Sequence, residues 1–334
     1  MLNFGICFKG DIAVGRTIEL AQAAESGGFT YVWTFDSHVL WRDCYVMLSQ
    51  LAAHTDKVRL GPCVTNPAVR DVTVTASIFA SLNVVSGGRA VCGIGRGDSS
   101  RRVLGQKPTT VARMMEAVEQ IRDLAEGRHT EHLGQDQWLP WANPDYKLPM
   151  WLAGYGPKVL KASGAHADGI VLQIADPFLI KWFMSQVRAG AEEAGRNPDD
   201  IKFMVAAPVY VHPDVEKCRD HVRWFPAMVG NHVADLVQKY HSGEVPQDLT
   251  DYIEGREGYD YRQHADKDSD HLKFIPNNII DRFAIVGDVE NHIARLKELR
   301  EIGVDQFNIY LMNDDEEATV DIYSREVIPE VNKW

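Results

Sequence analysis

Apolar runs and amphipathic stretches alternate along the chain. The runs rich in β-branched and aromatic residues predict strands at residues 3–8, 31–35, 57–62, 89–95, 149–154, 168–174, 201–211 and 306–312. Stretches with helical periodicity lie at residues 13–27, 44–54, 72–85, 110–127, 157–164, 177–194, 213–228, 289–303 and 316–331. The strands are continuous apolar runs rather than alternating ones, which indicates that both of their faces are buried.

About eight strand–helix units in 334 residues predict a single TIM (β/α)8 barrel spanning residues 1–334. Their alternation implies a parallel sheet with right-handed crossovers, and a doubly wound sheet is the alternative. Residues 128–148 do not fit the repeat and are predicted to form an extended insertion after the fourth helix. Residues 234–280 are polar, acidic and rich in Tyr and His. They lie between the seventh and eighth units, and we expect an insertion or lid there.

Composition narrows the class of partner. The net charge of −12 argues against nucleic acid, which usually requires a basic face. The five cysteines are odd in number and form no CxxC pair, which favours a reduced protein over a disulfide framework. No signal peptide and no run of membrane-spanning length is visible, so we expect a cytoplasmic protein with no membrane partner.

In a TIM barrel the catalytic residues follow the carboxyl ends of the strands. The second predicted strand is followed by Asp36, His38 and Trp41. A carboxylate and an imidazole two residues apart can orient a ring or move a proton, whereas a turn-capping Asp36 beside a solvated His38 is the alternative. Trp41 and Trp138 are candidates for the wall of a substrate pocket, although each could instead fill the core.

The fourth strand ends in a glycine-rich turn. Gly95 and Gly97 allow a backbone to approach a ligand closely, and Arg96, Arg101 and Arg102 follow at once. Guanidinium groups beside backbone N–H groups suit phosphates or carboxylates. A solvated basic start of a helix is the alternative.

The fifth strand is followed by a turn that enters a helix. Gly154 and Gly156 precede Pro157, a favourable first helical residue, so the helix start is a candidate anion site. The sequence contains no HExxH motif, no GxSxG motif and no Walker A motif. We therefore expect no metal site, no serine hydrolase and no P-loop chemistry.

Four blocks in one order resemble the bacterial luciferase-like family. They are residues 28–77, 86–98, 151–172 and 284–309, with motifs such as "GPCVTNPAVRD", "SGGRAVCGIGRGD" and "WLAGYGPKVLKASG". The similarity is closest to the coenzyme F420-dependent branch, which includes methylenetetrahydromethanopterin reductase. It covers nearly all of the chain apart from residues 234–280. The family fold is a TIM barrel, in agreement with the strand count.

The resemblance implies a cofactor site at the strand ends. In the F420 branch a non-prolyl cis peptide at the third strand backs the deazaflavin ring, and its position corresponds to Cys63–Val64; an ordinary trans bulge is the alternative. The resemblance also places Thr65, Asn66, Gly95, Gly97, Asp98, Gly154, Tyr155, Gly156 and Pro157 near the cofactor. Arg96 and Arg101 are expected there because of their charge. Asp36 and His38 would lie near the ring and the substrate.

The resemblance is imperfect at two positions. The reductase-like pattern after the second strand is Thr-Asp-His, whereas Phe35, Asp36, Ser37 and His38 stand here, so one residue separates the carboxylate from the histidine. Arg96 stands where the family often has a small residue or proline. Both differences bear on the role of His38 and on the substrate.

The function expected from these residues is hydride transfer between F420 and a small organic substrate. One alternative is an FMN-dependent monooxygenase that uses reduced FMN and O₂, and another is a non-catalytic flavin-binding barrel. The three arginines favour F420, whose anionic tail is longer than that of FMN. The unusually apolar helix at 72–85 predicts a homodimer or a higher homo-oligomer, and complete burial of the helix under neighbouring loops is the alternative.

Overall fold

The computed structural model of the chain describes residues 1–230, 247–254, 262 and 275–333. The strands are β1 (Asn3–Phe8), β2 (Tyr31–Thr34), β3 (Arg59–Pro62), β4 (Cys92–Ile94), β5 (Thr130–His132), β6 (Gln135–Gln137), β7 (Met150–Ala153), β8 (Gly169–Leu172), β9 (Lys202–Ala207), β10 (Val209–Val211), β11 (Ile285–Gly287) and β12 (Gln306–Tyr310).

The α-helices are α1 (Val14–Ser26), α2 (Cys44–His54), α3 (Val72–Ser86), α4 (Ser99–Arg102), α5 (Val111–Ala125), α6 (Pro157–His166), α7 (Pro177–Glu193), α8 (Val215–Val222), α9 (Gln247–Glu254), α10 (Asn277–Phe283), α11 (Val289–Glu301), α12 (Glu316–Ile322) and α13 (Ile328–Val331). Residues 224–230 are helical as well, and a π-helical turn, Tyr323–Val327, joins α12 to α13. Within these described ranges, no helix is long and apolar enough to cross a membrane.

Eight strands form one parallel sheet that closes on itself. Their order is β3-β2-β1-β12-β9-β8-β7-β4. Parallel bridges join Leu60 to Ala90 and Thr65 to Ile94, so the two outer strands of this order are also neighbours. This closure confirms the predicted TIM barrel and excludes the doubly wound sheet, whose edge strands stay apart.

Aromatic side chains from opposite sides of the barrel meet in its interior. The rings of Tyr31 and Trp33 stack with centroids 5.7 Å apart, and Trp151 meets them edge-on at 6.0 and 6.1 Å. Strand glycines make room for these rings: a Cβ on Gly169 would lie 2.3 Å from the Trp151 ring, and one on Gly93 3.3 Å from the Trp33 ring. The interior is therefore packed, and ligands bind at the carboxyl ends of the strands.

The predicted strand 201–211 is two strands. β9 belongs to the barrel, whereas β10 pairs in parallel with β11 in a separate two-stranded sheet. Pro208 separates the two strands, has no N–H to donate to a ladder, and its carbonyl accepts from Ile285 N at 3.3 Å. The prediction of one continuous strand was wrong because the residues on both sides of Pro208 are buried and apolar.

Two predicted insertions have different outcomes. Residues 128–148 contain a short antiparallel hairpin, β5–β6, rather than only extended chain, and its turn residues Leu133 and Gly134 both have positive φ (53° and 74°). Most of the predicted insertion 234–280 lies outside the described residues. In its described part, Tyr252 of α9 is buried and donates a hydrogen bond to Pro226 O at 3.0 Å.

Candidate functional site

A cavity of about 530 Å³ opens at the carboxyl ends of the barrel strands. Its walls come from five consecutive strand ends: residues 35–37 after β2, 63–65 after β3, 95–100 after β4, 153–156 after β7, and Gln173 after β8. This volume falls within the roughly 300–1,000 Å³ of small-molecule and cofactor sites. The cavity is therefore the candidate active site.

The end of β3 forms one wall. The peptide bond between Cys63 and Val64 is cis, at the position that the family resemblance implies. Thr65 N donates to Gly93 O and Gly95 N donates to Thr65 O, each at 2.8 Å, so this wall is joined to the end of β4 by backbone hydrogen bonds. Cys63, Val64 and Thr65 contribute directly to the cavity surface.

Asn66, the next residue, supports the wall from behind. It is 1% exposed, donates from Nδ2 to Ser100 Oγ at 2.9 Å and accepts from Ala68 N at 3.1 Å. Asn66 is not part of the cavity surface. Its effect on a ligand is thus indirect, through the positions of the segments that it joins.

Asp36 is held by a set of hydrogen bonds. Its Oδ2 accepts from Thr65 Oγ1 and from Arg70 Nη1, both at 2.7 Å, and its Oδ1 accepts from Arg70 Nη2 at 3.2 Å. Arg70 also donates to Asp43 Oδ2 at 2.8 Å. Although burial opposes the charged form, these carboxylates raise the pKa of Arg70 above its usual value. Arg70 is therefore a fixed cation next to the cavity.

The glycine-rich turn after β4 lies against this wall. Gly97 adopts φ +80°, a conformation that favours glycine, and a Cβ on Gly95 would lie 3.0 Å from Val64 Cγ2. Arg96 Nε donates to Thr109 O at 2.6 Å, and Arg102 forms an ion pair with Asp98. Backbone and cationic groups are thus exposed together on this side of the cavity.

The turn after β7 forms the opposite side. Gly154, Tyr155 and Gly156 line the cavity, together with Lys158 in the first turn of α6. Gly156 is the N-cap of α6 and Pro157 its first residue. The start of this helix is consistent with the predicted anion site, because uncompensated N–H groups and Lys158 both favour negative charge.

A chain of polar groups lies deeper in the site. Tyr155 OH donates to Gln173 Oε1 at 2.8 Å, and Gln173 Nε2 donates to Tyr310 OH. Burial raises the pKa of Tyr155 well above its usual value, so its phenol is neutral. Phe35 packs against both Trp41 and Tyr310 with centroids 5.2 Å apart, which gives the site an apolar side as well.

The comparisons with known proteins identify the family of the chain. Residues 2–306 match the family model described as luciferase-like monooxygenase. The chain belongs to the luciferase-like family. It is 30% identical to a 5,10-methylenetetrahydromethanopterin reductase of Archaeoglobus fulgidus, over 99% of this chain and all of the relative. It is 22% identical to an F420-dependent glucose-6-phosphate dehydrogenase of Mycolicibacterium gilvum, over 95% of this chain and 94% of that one.

A solved structure supports the fold of this luciferase-like chain. The coenzyme F420-dependent tetrahydromethanopterin reductase of Methanopyrus kandleri superimposes with a TM-score of 0.78, covers 99% of both chains and is 24% identical. At that identity the likeness concerns the fold alone. It agrees with the barrel closure observed here.

Several predicted site residues of the luciferase-like chain lie outside the cavity. His38 is exposed in the turn after β2, separate from the cavity surface to which Asp36 belongs, so the predicted pair is not brought together. Arg101 and Pro157 are also absent from the cavity surface, and Arg101 Nε donates to Lys107 O at 2.6 Å. The neighbouring residues Arg102 and Lys158 line the cavity instead.

The two predicted pocket tryptophans have different environments. Trp41 lines the cavity. Trp138 follows the β5–β6 hairpin, is 48% exposed, stacks on His129 at 4.8 Å and lies outside the cavity. The interpretation of Trp138 as a pocket residue was wrong because the segment that carries it forms a hairpin away from the cavity surface.

Arg70 and Tyr310 are the residues that the sequence reasoning missed. Arg70 lies within the motif "GPCVTNPAVRD", and a buried carboxylate at Asp36 needs a cation, which was an available signal. Tyr310 ends the last barrel strand, and its contact with Gln173 joins residues 137 positions apart. No local pattern indicates that contact.

Proposed function

We propose that this chain is an oxidoreductase that transfers hydride between coenzyme F420 and a small organic substrate. The observation that carries the proposal is the cavity itself, with close-approach glycines on one wall and cations at its rim, in a chain 30% identical over its full length to a methylenetetrahydromethanopterin reductase. Reductases and dehydrogenases whose names include F420 share the family and the fold. When bound, F420 supplies the ring carbon that gives or accepts hydride.

The residues present fit a flat ring. The walls at Val64 and Gly95 are already so close that a Cβ on Gly95 would be 3.0 Å from the valine side chain, and Gly97 cannot carry a side chain without strain. Glycine on this wall leaves backbone rather than side chains facing the ligand. These residues would therefore hold a planar group against the wall formed by β3 and β4.

The rim fits an anionic tail. Arg96 lies in the turn after β4, Arg102 ends α4 and Lys158 lies in the first turn of α6, and all three line the cavity. The chain as a whole carries a net charge of −12, so these cations form a local positive region on an otherwise acidic protein. Cations concentrated at one edge of a cavity favour phosphate and carboxylate groups.

The remaining cavity residues suit a neutral reacting centre. Phe35, Trp41 and Met228 contribute apolar surface that excludes water from the reacting carbon, while Gln173 and Tyr155 offer polar atoms to orient a substrate. Water exclusion protects a hydride donor from unproductive reactions. The protein's role is thus to bind, orient and shield the reactants.

The test is a fluorescence titration of the purified protein with F420 and with FMN. We expect F420 to bind more tightly, and the double variant Arg96→Glu, Arg102→Glu to weaken F420 binding roughly 10–100-fold while affecting FMN less, because F420 presents more negative charge. Arg101→Glu is the matched control, since Arg101 is adjacent but outside the cavity. Preferential binding of FMN would redirect the assignment to the monooxygenase branch. Binding of a cofactor without hydride transfer to carbonyl, imine or enone acceptors would favour a non-catalytic barrel.

We also propose that the protein is a homodimer. Val46 of α2 and Val74 and Val85 of α3 are 67%, 50% and 53% exposed, and these two helices pack side by side. Apolar side chains grouped on neighbouring helices are typical of a surface that a second copy covers. The active-site cavity is formed by strand ends of one chain and does not depend on this assembly.

A further inference from the structure

We propose that Arg70 is a positioning residue of the cofactor site, which fixes the β3 wall of the cavity through Asp36 and Thr65. The proposal rests on the proposed F420 function. Arg70 itself is not part of the cavity surface, whereas Asp36 and Thr65 are. We call Arg70, Asp36 and Thr65 the clasp.

The ion pair at the centre of the clasp is buried and bidentate. The guanidinium of Arg70 donates to both oxygens of Asp36, at 2.7 and 3.2 Å, and the two side chains are 15% and 1% exposed. Two parallel charge-assisted hydrogen bonds fix both distance and orientation. Asp36 therefore has one position relative to Arg70.

The remaining contacts of Asp36 also point to a positioning role. Thr65 Oγ1 donates to Asp36 Oδ2 at 2.7 Å. Burial, together with the neighbouring carboxylate of Asp36, raises the pKa of Cys44 well above its usual value, so this thiol stays protonated beside Asp36. Donors from Arg70 and Thr65 hold both oxygens of the Asp36 carboxylate within the protein. We therefore interpret Asp36 as a structural anion that orients the wall of the cavity.

Thr65 transmits this constraint to the cavity. Its backbone N–H and carbonyl bond to Gly93 and Gly95 of the neighbouring strand end, each at 2.8 Å. Its side chain is held by Asp36 at the same time. A shift of Thr65 thus moves the wall at Val64 and the wall at Gly95 together, where the flat ring is proposed to bind.

A second set of contacts fixes the guanidinium group. Arg70 lies over the ring of Tyr45, with its Cζ 4.7 Å from the ring centroid, and it donates to Asp43, the N-cap of α2. Tyr45 is itself packed edge-on against Phe79. A lysine cannot reproduce the planar, bidentate and stacked geometry, so Arg70→Lys keeps the charge and removes the fixed orientation.

The chain offers a matched control away from the cavity. Arg219 of α8 makes a bidentate ion pair with Asp281, and its side chain is 19% exposed, close to the 15% of Arg70. It also donates to a second carboxylate, Glu216. Arg219→Lys therefore perturbs a comparable ion pair that does not touch the β3 wall.

The experiment compares the full-length wild type with Arg70→Lys, Arg70→Ala, Asp36→Asn and Arg219→Lys. Two readouts are the Kd for F420 and the circular dichroism that the protein induces in bound F420, which reports how the ring is held. The thermal unfolding midpoint of each variant is measured in parallel. Guanidinium chloride, well below denaturing concentrations, is added to Arg70→Ala to replace the missing group.

We expect Arg70→Lys and Asp36→Asn each to weaken F420 binding, on the order of 100-fold, and to change the induced dichroism, because small displacements of a binding wall have effects of that size. The double variant Arg70→Lys, Asp36→Asn, measured alongside them, should lose little more than either single variant, since both break one clasp. Added guanidinium should restore part of the affinity of Arg70→Ala, and Arg219→Lys should bind F420 as the wild type does.

Two outcomes overturn the positioning role. One is wild-type affinity and dichroism in both Arg70 variants. The other is a loss in Arg70→Lys that matches the loss in Arg219→Lys and follows the unfolding midpoint, which would indicate general destabilisation. A wild-type protein that does not bind F420 overturns the proposed function instead, so the two failures are distinguishable.

Discussion

The buried His292 should make stability depend on pH. Its ring is fully buried; Nε2 lies 3.2 Å from Tyr210 O and Nδ1 lies 2.8 Å from Tyr323 OH. Nε2 must donate to the carbonyl, so in the neutral ring Nδ1 accepts from the phenol. Burial lowers the pKa of His292 to about 4 from an ordinary 6.5.

The sign and size of the effect follow from linkage. Below pH 6.5 the unfolded chain binds a proton at this histidine while the folded protein does not, so stability is lost as the pH falls from 6.5 towards 4. One pKa unit corresponds to about 1.4 kcal/mol, so the free energy of unfolding should drop by about 2 kcal/mol between about pH 7.5 and about pH 5 from this group alone.

The assay is urea unfolding of the wild type and of His292→Gln across that range. Glutamine can donate and accept hydrogen bonds but does not titrate, so the variant lacks this contribution, and the carboxylates titrate alike in both proteins. The difference in unfolding free energy between wild type and variant should therefore shrink by about 2 kcal/mol on acidification. A difference that stays constant over the range would refute the reasoning about His292.

Two further predictions concern the cavity and the dimer. Gly97→Ala should weaken F420 binding roughly tenfold or more, because a Cβ there would lie 2.8 Å from Asn66 Cγ. Gly105→Ala, with a similar φ of +70° and no neighbour within 4 Å, is the control and should bind F420 normally. The double variant Val46→Asp, Val74→Asp should be monomeric by light scattering, and a dimer mass in that variant would contradict the proposed α2–α3 interface.

The barrel was predictable because its physical requirements are local. Strands buried on both faces must be continuous apolar runs, and a parallel connection needs a crossover, so each unit is visible in sequence. The break at Pro208 was visible in principle as well, since proline has no N–H for a sheet ladder. The change from one sheet to the other was missed because the apolar residues on both sides of Pro208 resemble one continuous strand.

The direction of individual side chains was less predictable. Successive residues on a helix point about 100° apart, so of Arg101 and Arg102 on α4 only Arg102 reaches the cavity. His38 faces outward because the turn after Ser37, closed by hydrogen bonds from Leu40 and Trp41 to the Ser37 carbonyl, directs it there.

Contacts between residues that are far apart in sequence could not be predicted from local sequence patterns. Arg70 lies 34 positions from Asp36, and the parallel pairing of β2 with β3 brings the ends of these strands together. A buried carboxylate predicts that a cation exists but does not say which one. The strand-end motifs therefore located the cavity, whereas the partners that support it required the three-dimensional structure.

The pairing of β10 with β11 has a consequence for how such barrels diversify. The chain leaves this two-stranded sheet after Val211 and returns to it at Ile285, in the strand that pairs with β10. Both ends of this segment are anchored by one short ladder, and the entropy of closing a loop grows only slowly with its length. Segments of different length and composition can therefore be exchanged at this junction with little cost to the barrel, and the strand ends that form most of the cavity surface are retained. The junction is a natural site for length variation between related barrels.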